Sequence, residues 1–174
     1  MNNKAKKAIC RKEDLGNEAS VEQFFVDRLL KRLGWSDSQI KTKESISELS
    51  VNLGRKKMPS KPDYALSYRR KVRFVIDAKS TKENLDSWVG QCSSYCLLIN
   101  QGYKDNPVQY FVLTNGLKTM LYRWDSAKPI LTLSLSDMNN GSKAFDTLAE
   151  YLSPRSFNAT HPAGLSSEIE EERI

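Results

Sequence analysis

Residues 72 to 79 constrain this chain more than any other stretch. Val72, Phe74, Ile76 and Ala78 alternate with Arg73, Val75, Asp77 and Lys79, and period-two spacing puts the first set on one face of a strand and the second on the other. The run starts directly after a turn of Arg69, Arg70 and Lys71, which follows a shorter strand through Tyr64, Leu66 and Tyr68. A hairpin is therefore predicted, with Pro62-Asp63 at its entrance and Asp77-Ala78-Lys79 at its exit. Pairing across the hairpin can bring Asp63 beside Asp77, and Lys79 shares a face with Asp77.

The rest of the chain supplies partners for that hairpin. A helix is predicted from Asn17 as N-cap, with Glu18 and Glu22 in its first turns, apolar Val21, Phe24, Phe25, Leu29 and Leu33, and a stop at Gly34. Residues 39 to 53 fit one or two edge strands. A second helix runs from Asn84 to about Ile99 and ends before Gly102. Tyr110 to Thr114 is a β-branched and aromatic strand, Asn115-Gly116 a tight turn, and Leu117 to Trp124 the returning strand. A strand at 130–135 and a helix at 142–152 complete the pattern. The order helix, strands, helix, strands, helix describes an α/β layer architecture, a central mixed sheet flanked by helices.

Its 174 residues suit one domain. The predicted divisions are a flexible basic arm at 1–16, a folded domain at 17–153, and a linker or tail at 154–174, where Pro, Gly, Ser and a final Glu-rich run dominate. Lys and Arg number 27 against 21 Asp and Glu, a net charge of +6, which favours a polyanionic partner. No apolar run approaches the roughly 18 residues that span a bilayer, and the start lacks a signal peptide's apolar segment. No membrane partner is expected, and a cytoplasmic location is. Three cysteines, an odd number, agree with free thiols in a reducing compartment.

Two carboxylates and a lysine at this spacing suit Mg²⁺, which keeps several waters and binds one or two carboxylates together with phosphate oxygens. Lysine beside such an ion can orient or deprotonate water and offset charge on a phosphate. The expected chemistry is metal-assisted phosphodiester hydrolysis. Glu18 falls on the inward face of the first helix, where an acid is costly unless paired or metal-bound; Glu22 is close to that face, and periodicity leaves open which of the two matters. Gln91 and Tyr95, four apart, project from one side of the second helix. Arg55, Lys56, Lys57 and Lys61, and then Arg69 and Arg70, flank the carboxylates in sequence, where a nucleic-acid backbone needs counter-charge. A zinc site from Cys10, Cys92, Cys96 and His161 is disfavoured by spacing, leaving core thiols. Trp88, Tyr110, Phe111 and Tyr122 are core residues before they are base-stacking ones.

Together, Glu18, Pro62-Asp63, Asp77-Ala78-Lys79 and Gln91-x-x-x-Tyr95 resemble the PD-(D/E)XK nuclease superfamily in its Q-x-x-x-Y variant. The stretch from Glu18 to Leu33-Gly34-Trp35, and Phe111 to Trp124 with Thr114-Asn115-Gly116, are similar to the N-terminal nuclease domain of type I restriction enzyme R (HsdR) subunits. That resemblance covers about residues 17 to 135. It implies a restriction-endonuclease-like core and Mg²⁺-dependent cleavage of double-stranded DNA, with Mn²⁺ as a substitute ion, and fusion to a translocase that joins modification and specificity subunits. By matching position it implies Asp63 and Asp77 as metal ligands, Glu18 as the helical acid, Lys79 as the catalytic lysine, and Gln91 and Tyr95 as orienting residues. Asp77 stands where relatives more commonly carry Glu. No G-x-x-x-x-G-K-[ST] loop is present, so no ATP site is expected in this chain. Two other readings stand beside it: a non-catalytic nucleic-acid-binding module with the same fold, and a stand-alone PD-(D/E)XK repair nuclease.

Overall fold

A computed structural model describes residues 7–43 and 61–158. Arg55, Lys56, Lys57 and His161, and any strand between Lys43 and Leu53, lie outside the described residues. Six strands form one sheet in chain order: β1 (Ile40–Thr42), β2 (Tyr64–Tyr68), β3 (Lys71–Ala78), β4 (Tyr110–Thr114), β5 (Lys118–Arg123) and β6 (Pro129–Ser134). Neighbours are antiparallel except β3 and β4, which are parallel. Strands that run the same way need a long crossover, and here it contains a 3₁₀ turn, Leu85–Trp88, and helix α2, Val89–Asn100.

Helix α1 runs unbroken through Glu18–Ser20, Val21–Val26 and Asp27–Leu33. Asn17 caps it as expected: its side chain accepts from the Ser20 N–H and the Ser20 hydroxyl accepts from the Asn17 N–H, both at 2.9 Å. Gly34 closes it in the left-handed region, φ 97. Helix α3, Lys143–Leu152, is capped by Ser142. On one face of the sheet, α1 and α3 bury Phe25, Leu29, Leu33, Phe145 and Leu148 against Phe74, Ile76 and Val112. On the other, α2 buries Cys92, Cys96 and Ile99 against Val75, Phe111 and Leu113. The sheet is thus the middle layer of three, as its two-sided apolar pattern requires. Among the described residues, no helix is long and apolar enough to cross a membrane.

Four details depart from the sequence-based expectation. Residues 7–16 do not form a loose arm: Ile9, Cys10 and Leu15 are buried in the α1-side core, and Arg28 and Arg32 donate to the Ile9 and Ala8 carbonyls at 3.0 Å. Three apolar side chains suffice to tie down a segment whose charge suggested disorder. At the other end the chain stays folded past Leu152 through a 3₁₀ turn, Pro154–Phe157. Phe157 packs on Phe74 and Trp35, ring centroids 5.9 and 6.0 Å apart. Val72 lies in the α2-side core with Val75, not beside Phe74. The cause is a β-bulge: Leu66 pairs with Phe74 and Ser67 with Val72, so Arg73 is an extra residue that shifts the alternation. Finally, the β4–β5 turn centres on Gly116 and Leu117, with Asn115 at its first corner, where Oδ1 accepts from the Leu117 and Lys118 N–H groups.

Candidate functional site

Strand register builds the site. Thr42 pairs with Tyr64 and Tyr64 with Ile76, so one position further along sets Lys43, Asp63 and Asp77 in a row across three neighbouring segments. Lys43 Nζ lies 2.8 Å from Asp63 Oδ1, and Asp63 Oδ2 accepts from the Ala78 N–H at 2.7 Å. Both aspartate side chains are only 3% exposed. Facing carboxylates in a buried ladder repel unless something offsets them. Burial first, then the charge of Asp63, push the Asp77 carboxyl up to about 6, against the pull of Lys79.

Lys79 is held on two sides. Its ammonium is 2.9 Å from Asp77 Oδ2 and its side chain 12% exposed, while the Trp88 ring centroid lies 3.9 Å from Nζ. Burial works against the charged ammonium, the Asp77 carboxylate works for it, and the second wins, raising Lys79 above the ordinary lysine value. The Lys79 N–H donates to the Thr114 carbonyl at 2.8 Å, anchoring the end of β3 to β4.

Helix α1 brings further acids. Carboxylate oxygens of Glu18, Glu22 and Asp63 lie within 4.8 Å of one another. After its capped first turn the helix widens into a π-helical stretch, in which the Asp27 N–H donates to the Glu22 carbonyl. The Tyr64 hydroxyl donates to Asp27 Oδ1 at 3.0 Å, with that same Glu22 carbonyl 3.4 Å away, so α1 is fastened to β2 one residue past Asp63. Burial first, then the charge of Asp63, push Glu22 up to about 6, opposed by Lys43. Periodicity left Glu18 and Glu22 as alternatives; the fold brings both to Asp63.

The start of α2 adjoins the acidic strand. Cys92 is buried, and burial first, then the charge of Asp77, hold its thiol well above the ordinary cysteine value. Gln91 is its half-buried neighbour and Tyr95 lies buried one turn on. The three cysteines are free and buried, as core thiols should be. The basic residues divide. Lys61 stands half-buried two positions before Asp63. Arg69 and Arg70 form the β2–β3 turn, with φ of 50 and 64, at the opposite end of the hairpin. From Lys71 to Asp77 the strand advances about 20 Å at the usual rise, so those arginines flank the carboxylates in sequence and not in space.

Every acidic donor here is a carboxylate oxygen, the hard ligand that Mg²⁺ takes. A divalent cation would offset the burial and the like-charge repulsion that raise Asp77 and Glu22, and among the described residues Glu18, Glu22 and Asp63 bring their oxygens close enough together to fit one such ion. Two contributors escaped sequence reasoning. Lys43 is visible only through the β1–β2 register, and Trp88 reads as a core aromatic until Lys79 is seen above its ring.

No protein-family model matches the sequence, and no curated protein matches it. Solved structures similar to the chain include a cryoEM structure of a DrdV–DNA complex, 15% identical at a TM-score of 0.45 over 78% of this chain and 81% of that one. Another is the type IIG restriction endonuclease BpuSI, 18% identical at a TM-score of 0.45, in which 96% of this chain matches 19% of the other.

Proposed function

We propose that this chain is a Mg²⁺-dependent endodeoxyribonuclease domain of the type I restriction R-subunit class, hydrolysing phosphodiester bonds of double-stranded DNA in the cytoplasm. Modification and specificity subunits are its proposed partners. The observation that carries this reading is the direct opposition of buried Asp63 and Asp77 with Lys79 held beside them. Such an arrangement costs stability in a structural ion pair and gains a purpose in a cation site. Asp63, Asp77 and Glu18 are the residues proposed to hold the ion. When bound, Mg²⁺ supplies positive charge for phosphate oxygens and lowers the pKa of coordinated water.

The chain's own groups do the rest. Asp77 and Trp88 fix the Lys79 ammonium, whose N–H groups orient the attacking water and stabilise charge on a non-bridging phosphate oxygen. Gln91 and Tyr95 orient the site and the DNA backbone. Lys61 supplies counter-charge for nearby phosphates, Arg69 and Arg70 grip more distant ones, and Arg55, Lys56 and Lys57 are proposed to bind DNA as well. The test is plasmid cleavage by the purified chain with Mg²⁺, Mn²⁺ or EDTA. Lys79→Ala should lower the rate at least about a hundredfold while the folded circular-dichroism spectrum is retained at the assay temperature. Intact plasmid under both metals refutes the proposal.

A further inference from the structure

We propose that Lys43 is an internal counter-cation of the candidate metal site, competing with the divalent ion for the Asp63 carboxylate. The inference rests on the reading that Glu18, Asp63 and Asp77 hold that ion. Both oxygens of Asp63 are engaged: Oδ2 by the Ala78 N–H at 2.7 Å and Oδ1 by Lys43 Nζ at 2.8 Å. A cation on Asp63 would therefore share Oδ1 with the Lys43 ammonium or Oδ2 with the Ala78 amide. Ala78 closes strand β3, which is paired on both sides, and its amide cannot leave without unzipping the sheet. Lys43 can leave. Its side chain is 52% exposed and follows the three-residue edge strand β1, so the ammonium reaches water without stranding a buried charge.

Charge makes the two occupants exclusive. The Lys43 ammonium lies in the field of Asp63, Glu22 and Glu18, the same three acids whose oxygens converge within 4.8 Å. Two cations sharing one cluster of anions repel each other at close range. Lys79 differs, being pinned between Asp77 and Trp88 and mostly buried. Lys43 is thus the cation that yields and Lys79 the one that stays.

Calorimetric titration of Mn²⁺ alone into the full chain tests this, because binding is read without any DNA cleavage. Lys43→Met, which keeps the stem and removes the charge, should bind Mn²⁺ about tenfold more tightly than the unaltered chain, and Lys43→Arg should bind like it. Equal or weaker binding by Lys43→Met overturns the competition. If Lys43→Met fails to fold, Lys43→Gln takes its place under the same criterion. Mn²⁺ binding by the unaltered chain without a gain in the variant sinks this inference alone; absence of binding in both sinks the metal-site reading with it.

Discussion

Replacing Asp77 by Asn should stabilise the protein in neutral solution while removing cleavage. A carboxyl whose pKa moves from 3.8 to about 6 on folding costs about 3 kcal/mol once fully ionised. The pull of Lys79, whose ammonium lies 2.9 Å from Asp77 Oδ2, is already contained in that raised value, so asparagine removes the whole net cost and the expectation at pH 8 is a gain of about 3 kcal/mol. The gain depends on pH. An acid with a raised pKa binds more protons folded than unfolded between pH 4 and about 6, so the unaltered protein loses stability as pH rises through that window. Below it Asp77 is neutral in the folded chain, Lys79 faces no anion in either protein, and the two are of nearly equal stability. Urea unfolding of both proteins at pH 4 and pH 8 therefore should show the difference moving in the variant's favour by about 3 kcal/mol. A difference that stays constant, or turns against the variant as pH rises, refutes an Asp77 carboxyl raised by burial and by the charge of Asp63.

Trp88→Leu should slow plasmid cleavage by about tenfold or more, because Lys79 then loses the ring that fixes its ammonium. Trp88→Phe should retain most of the rate, and equal rates for all three proteins would show that the ring does not position Lys79. Gly116→Ala should lower stability by about 2 kcal/mol in thermal or urea unfolding. Its φ is 82, and the added Cβ would stand 2.6 Å from Leu15 Cδ1. An unchanged midpoint would mean that the N-terminal segment does not pack there.

Local signals made most of the fold legible. Asn17 and Gly34 mark helix ends because capping is a property of one or two residues, and the alternation of β2 and β3 with the β-branched and aromatic run of β4 announces the sheet. What escaped depends on pairing. Strict alternation puts Val72 on the wrong face because a bulge at Arg73 is invisible until β2 is laid beside β3. Arg69 and Arg70 looked close to the acids because sequence distance ignores the length of a strand. The packing of Ile9, Cys10 and Leu15 depends on a groove that the rest of the chain creates. Within the candidate site, Asp63, Asp77 and Lys79 could be grouped from spacing alone, since one hairpin carries all three. Glu18 and Glu22 needed the approach of α1 to β2 through Tyr64 and Asp27, a contact that no periodicity encodes.

The extra residue at Arg73 has a consequence for how this chain tolerates change. It acts as a phase shifter between two fixed points: Val72, committed to the α2 layer, and Asp77, which meets Lys79 on that same side. With Val72 held in place, a one-residue deletion between them would turn Asp77 toward α1 and α3, and a second insertion would do the same. A substitution at Arg73 leaves the count intact and so spares the parity of the strand. Single-residue length changes in this short stretch should therefore be far less acceptable than replacements, although the stretch lies at the far end of the hairpin from the candidate chemistry.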